Sequence, residues 1–109
     1  MGYVKVAEKS EITVGNKKKV VVDGKEVLVV NVNNSYYAIA DKCPHMGGSL
    51  SEGKLEGSSI ICPRHGAKFD VITGKVLEGA KVLFIKMKVK DVTKYSVKVK
   101  GNVILVDIL

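Results

Sequence analysis

Apolar and polar residues alternate with a period of two along much of the chain. Tyr3-Val4-Lys5-Val6-Ala7 shows the pattern at the start and Ser96-Val97-Lys98-Val99-Lys100 near the end. Such alternation sends successive side chains to opposite faces of a strand. Lys19-Val20-Val21-Val22 and Glu26-Val27-Leu28-Val29-Val30 flank Asp23-Gly24. Both residues of that pair tolerate positive φ, so the two runs are expected to pair as a hairpin. Asn33-Asn34 then turns the chain into Tyr36-Tyr37-Ala38-Ile39, and Gly101-Asn102 leads into Val103-Ile104-Leu105-Val106. Val and Ile dominate these runs, and their branched side chains suit a pleated surface. No segment carries a helical period over ten residues. The pattern predicts an all-β fold, an antiparallel sandwich or small barrels.

The middle of the chain reads differently. Residues 41–79 hold most of the 11 glycines and both prolines. A punctuated stretch of this length inside a compact strand domain is usually functional. With 109 residues the chain has room for one domain. The expectation is a single domain over 1–109, with a subdomain of two loops at about 41–79 inserted in a β base.

All the cysteines and histidines fall in two short boxes within that stretch, Cys43-Pro44-His45-Met46-Gly47-Gly48 and Cys62-Pro63-Arg64-His65-Gly66. The spacing is C-x-H, then 16 residues, then C-x-x-H. Each proline directly follows a cysteine and stiffens its loop by fixing φ. Glycines follow each box, where backbone N–H groups could approach a bound group and donate to sulfur. Thiolate and imidazole suit an iron–sulfur cluster or zinc. A Cys₂His₂ zinc site is the rival reading, and a Cys43–Cys62 disulfide would leave both histidines unexplained. Structural zinc usually takes its cysteines and its histidines as separate pairs. One Cys and one His per box suits a dinuclear centre instead, with both cysteines on one iron and both histidines on the other.

These boxes resemble the Rieske [2Fe–2S] motif at every ligand and at the full spacing. Tyr37-Ala38-Ile39, Leu50, Gly53, Leu55, Gly57 and Ile60 resemble the family's flanks, as do Gly66, Phe69, Asp70, Thr73 and Gly74. Ser10-Glu11-Ile12 and Gly15 resemble its N-terminal strand region. The resemblance is to small soluble Rieske-type ferredoxins of the archaeal kind. It implies a cluster held by Cys43, His45, Cys62 and His65, with the outer ring nitrogens facing solvent as the door for electrons. It implies a one-electron carrier rather than an enzyme. The partners would be a reductase as donor and an oxidase or oxygenase as acceptor. An electron-delivering subunit of a multicomponent oxygenase or reductase is the alternative.

The chain departs from the family in three places. Respiratory Rieske proteins carry an extra, disulfide-bonded Cys in each loop, where Gly48 and Arg64 stand here. They also place Ser and Tyr hydroxyls near the sulfurs, where this chain has Ala67 and Phe69. Such hydrogen bonds stabilise the added electron, so their loss implies the lower part of the Rieske potential range. A proline loop that covers the cluster in many members is replaced by Gly79-Ala80 and a Lys-rich stretch over 81–94. Lys86-Met87-Lys88-Val89-Lys90 reads either as an edge strand guarded by lysines or as a docking strand.

Charge adds little to fold and something to partners. There are 18 basic and 11 acidic residues, a net charge of +7, and all but one of the basic residues are Lys. A solvated basic surface explains most of this, and an acidic redox partner is the functional extension. With no Trp and no recognition motif, nucleic acid is not an expected partner. No apolar run approaches the length of a membrane span, so neither membrane insertion nor a leader is expected, and the reading is cytoplasmic. The absence of Gln beside abundant Lys, Glu and Val leans toward a thermophile.

Overall fold

The computed structural model describes residues 2–44, 48–64, 66–82, 85–87 and 89–108, with backbone alone at 80–82 and 85–87. The alternating runs become strands: β1 (Tyr3–Glu8), β2 (Lys17–Val22), β3 (Lys25–Val32), β4 (Ser35–Ala40), β5 (Lys54–Glu56), β6 (Ser59–Ile61), β7 (Lys68–Asp70), β8 (Val76–Glu78), β9 (Ala80–Val82), β10 (Ile85–Met87), β11 (Lys94–Lys100) and β12 (Val103–Asp107). Among the described residues they form three antiparallel sheets. Six strands, in the order β1-β12-β11-β4-β3-β2, curl until β1 comes alongside β2, making a nearly closed barrel. β5 to β8 form a four-stranded meander, and β9 pairs with β10 alone.

Turn chemistry explains the hairpins. Asp23 and Gly24 have φ of 49° and 78°, and Asn33 and Asn34 have 52° and 69°, the two consecutive left-handed residues of a type I′ turn. Gly101 alone is left-handed in the last hairpin, at 57°, as a turn with glycine in first position requires.

Strand β3 of the barrel contributes to two apolar cores. Val27, Leu28, Val29 and Val30 are each 0% exposed. Val27 and Val29 pack with Ile12, Ala38, Ile104 and Val106 inside the barrel. Leu28 and Val30 point the other way, into a second core with Ile39, Leu50, Ile60, Phe69 and Val71. A strand buried on both faces reads as an unbroken apolar run, which is what these four residues are. Each side chain is worth about 1.5–3 kcal/mol in burial, so β3 anchors both halves. Truncating Leu28 to Ala would open a cavity in the second core at a cost of about 2–5 kcal/mol.

Residues 9–16 link β1 to β2 without strand structure. Lys9–Glu11 is a 3₁₀ turn, and Ile12 through Asn16 follow as bend and turn. The Glu11 carboxylate turns back to accept the Glu8 N–H at 2.7 Å, which ends β1 there. Buried Asn31 then holds the segment against β3. Its side-chain amide donates to the Ile12 carbonyl at 2.9 Å, its carbonyl accepts the Gly15 N–H, and its N–H donates to the Asn16 carbonyl.

Candidate metal centre

The two cysteine loops are built alike. Cys43 follows β4 and a lone bridge between Lys42 and Ser49. Its N–H donates to the Gly48 carbonyl at 2.8 Å. Cys62 follows β6, and its N–H donates to the Ala67 carbonyl at 2.7 Å, just before β7. Each loop is thus closed five residues beyond its cysteine, with the histidine of its box inside the closed span. Both cysteines are buried, 2% and 3% exposed, and belong to the second core. No disulfide joins them. Ala67 and Phe69, at 1% and 0% exposure, lie in the same core, so the positions that lack hydroxyls are packed in the core that holds the thiols.

A buried carboxylate holds the chain that leads into the first loop. Asp41 is 1% exposed. It accepts the Ser51 N–H at 2.8 Å and the Ser49 hydroxyl, and the Leu50 N–H donates to its backbone carbonyl at 2.7 Å. The Lys19 ammonium, reaching over from the barrel, lies 3.7 Å from the carboxylate and 2.6 Å from Glu26. The bond to Glu26, then the charges of Glu26 and Asp41, raise the Lys19 pKa above its ordinary value despite partial desolvation. Sequence reasoning missed Asp41, because a lone Asp before a cysteine box carries no signal of burial.

The loops also touch each other. The Arg64 side chain lies against Gly48, so that a Cβ at Gly48 would sit 3.1 Å from Arg64 Cγ and 3.3 Å from its Cδ and Nε. These are the two positions at which the family resemblance places disulfide cysteines in the respiratory proteins. His45 and His65 lie outside the described residues, as do Met46 and Gly47. The described half of the donor set fits an iron–sulfur centre: two thiols, not cross-linked, on stiffened loops closed in the same way, in one apolar core.

The model of the Rieske [2Fe–2S] domain matches residues 2–103. The chain belongs to the Rieske [2Fe–2S] family. Among its relatives, the ferredoxin component of the naphthalene 1,2-dioxygenase system of Pseudomonas aeruginosa is 34% identical, over 90% of this chain and 88% of that one. The ferredoxin component of biphenyl 2,3-dioxygenase from Rhodococcus jostii is 32% identical over 99% and 94%. Among solved structures, the ferredoxin of carbazole 1,9a-dioxygenase from Nocardioides aromaticivorans superimposes with a TM-score of 0.82, at 36% identity over 98% of both chains. A complex of reduced oxygenase and oxidised ferredoxin in carbazole 1,9a-dioxygenase also matches, with a TM-score of 0.82 at 32% identity over 96% of this chain and 92% of that one. The Rieske cofactor is a [2Fe–2S] cluster rather than zinc, and the chain is an electron-transfer protein with redox partners. These relatives lend no support to archaeal kinship. Among the described residues no helix is long and apolar enough to cross a membrane.

The Lys-rich stretch has its own local structure. β9 and β10 pair antiparallel, with Ile85 opposite Val82 and Met87 opposite Ala80. Lys86 is therefore on a strand of a two-stranded sheet, while Lys88 lies outside the described residues.

Proposed function

We propose that Cys43 and Cys62 hold one iron of the cluster through their thiolates. His45 and His65 hold the other, each through one ring nitrogen, with the second ring nitrogen facing solvent. The observation that carries this reading is the meeting of Cys43 and Cys62 in one buried core, at the heads of two loops closed in the same way. When bound, the cluster accepts and releases one electron. The protein's part is to bury the thiolates, restrict water, and present one edge to a partner.

The chain is read as a single Rieske domain over 1–109, with a cluster-binding subdomain at about 41–79 in a β base. It takes an electron from a reductase and hands it to the terminal oxygenase of a multicomponent system. The names of its relatives support this, as does the solved complex of a similar ferredoxin with an oxygenase. A low potential within the Rieske range follows from Ala67 and Phe69, which bring no hydroxyl to the sulfurs. An acidic partner face follows from the +7 charge. Cytoplasmic residence and a thermophilic source complete the reading, the latter on the absence of Gln and the abundance of Lys and Glu.

Iron and acid-labile sulfide analysis of Cys43→Ser, Cys62→Ser, His45→Ala and His65→Ala tests the ligand set. Each variant should lose the intact cluster, while Lys98→Ala on the far strand β11 keeps it. Full cluster content in any of the four would remove that residue from the set. Electron delivery to a purified dioxygenase by its reductase should be restored by this chain and weaken as salt rises.

A further inference from the structure

The single arginine stands between the two cysteine boxes in space as well as near one of them in sequence. Arg64 is two residues past Cys62, yet its stem lies across Gly48, the residue whose carbonyl closes the Cys43 loop. Gly48 is buried and Arg64 is exposed, so the side chain lies over Gly48 from the solvent side. A methyl at Gly48 would sit at 3.1 Å from Cγ, closer than ordinary side-chain contacts, so the Arg64 side chain would have to shift by a few tenths of an ångström to admit it. Among the described residues the ion pairs are all made by lysines, and Arg64 has no carboxylate partner to cancel its charge. A lysine would serve less well in this seat, because a guanidinium is planar, weakly hydrated and always charged.

We propose that Arg64 is a positioning residue of the centre: it clasps the Cys62 loop onto the Cys43 loop without a covalent link, and its uncancelled positive charge favours the reduced state. This rests on the cluster assignment above. Adding one electron makes the site more negative by one unit, and a fixed cation beside it opposes that cost. The clasp and the charge are separable by substitution. Arg64→Gln removes both, Arg64→Lys keeps the charge, and Gly48→Ala keeps the charge while disturbing the seat.

The test uses the holoprotein, with two readouts on each variant: the reduced-to-oxidised ratio at a fixed applied potential, and the rate of cluster loss to a chelator. Arg64→Gln should lower the ratio about three- to tenfold, less so in high salt. Arg64→Lys should restore most of that ratio. Cluster loss should quicken severalfold in Arg64→Gln and in Gly48→Ala. Because both act through one contact, Gly48→Ala should add little in the Arg64→Gln background. An unchanged ratio in Arg64→Gln, or additive effects of the two substitutions on cluster loss, would overturn the proposal while leaving the ligand set intact. A parent protein with no cluster signal would overturn the ligand reading and the proposal with it.

Discussion

Replacing Asp41 should destabilise the protein at the entrance to the first cysteine loop, by an amount its partners set. Asp41 is 1% exposed and receives the Ser51 N–H and the Ser49 hydroxyl, with Lys19 at 3.7 Å. Hydrogen bonds to a charged group are worth about 1.5–3 kcal/mol each, offset by the cost of burying the charge. Asp41→Ala removes them all and strands the Ser51 N–H. Ser49 and Ser51 can still bond each other, at 2.6 Å between hydroxyls, so part of the loss is recovered. The net expectation is about 3 kcal/mol, or about 12 °C in Tm for a domain of this size. Asp41→Asn keeps an oxygen for Ser51 but turns an amide toward Lys19, and should cost about half as much. Urea unfolding followed by circular dichroism and by cluster absorbance on the same samples measures both. The absorbance transition should move ahead of the dichroism transition in Asp41→Ala, because the disturbed segment leads straight into Cys43. A loss under about 1 kcal/mol, or equal effects of Ala and Asn, would refute the reasoning.

Three further outcomes follow from single contacts. Ala67→Ser with Phe69→Tyr should add hydroxyl donors in the core that holds both cysteines and raise the midpoint potential by about 60 mV, a factor of ten in the reduced-to-oxidised ratio; a fall or no change in a redox titration would contradict it. Gly74→Ala forces a left-handed Ala at φ 78° whose Cβ meets the Val92 carbonyl oxygen at 2.5 Å, and should cost about 2–4 kcal/mol in urea unfolding. Gly24→Ala, at the same φ but in open space, should cost only about 1 kcal/mol and isolates the clash. The Lys19 pKa is raised in the folded protein, so its contribution is fully present below the unfolded value near 10.5 and is lost as pH rises through the folded one. Lys19→Met should therefore be less stable than the parent from neutral pH to about 10, with the gap closing at higher pH; a constant gap in pH-dependent unfolding would exclude the linkage.

The barrel was legible because its strands are long enough to alternate and its turns carry Asp-Gly, Asn-Asn and Gly-Asn signatures. The cysteine boxes were legible because all the ligand-type sulfur and imidazole of the chain sits at two fixed spacings. The meander β5–β8 was not legible. Its strands are three residues each, too short for a period, and the glycines around them read as loop. The β9–β10 pairing was equally hidden, since its strands are also three residues each. Burial of Asp41 depends on Lys19 and Ser49 arriving from elsewhere in the fold. The seat of Arg64 likewise depends on Gly48, so neither could be read from local sequence. Ser10-Glu11-Ile12 and Gly15 carry the resemblance to the family's N-terminal strand region, but the 3₁₀ turn at Lys9–Glu11, where the Glu11 carboxylate accepts the Glu8 N–H, has no signature in the local sequence.

The proposed electron transfer depends on Cys43, His45, Cys62 and His65 together holding one [2Fe–2S] cluster. Low-temperature electron paramagnetic resonance on the protein as isolated and after chemical reduction tests it most directly. Two coupled ferric ions give no signal, and one added electron should produce a spin-half signal integrating to one spin per chain. Silence in both states, with bound zinc confirmed, would contradict the account, as would a strong ferric signal before reduction.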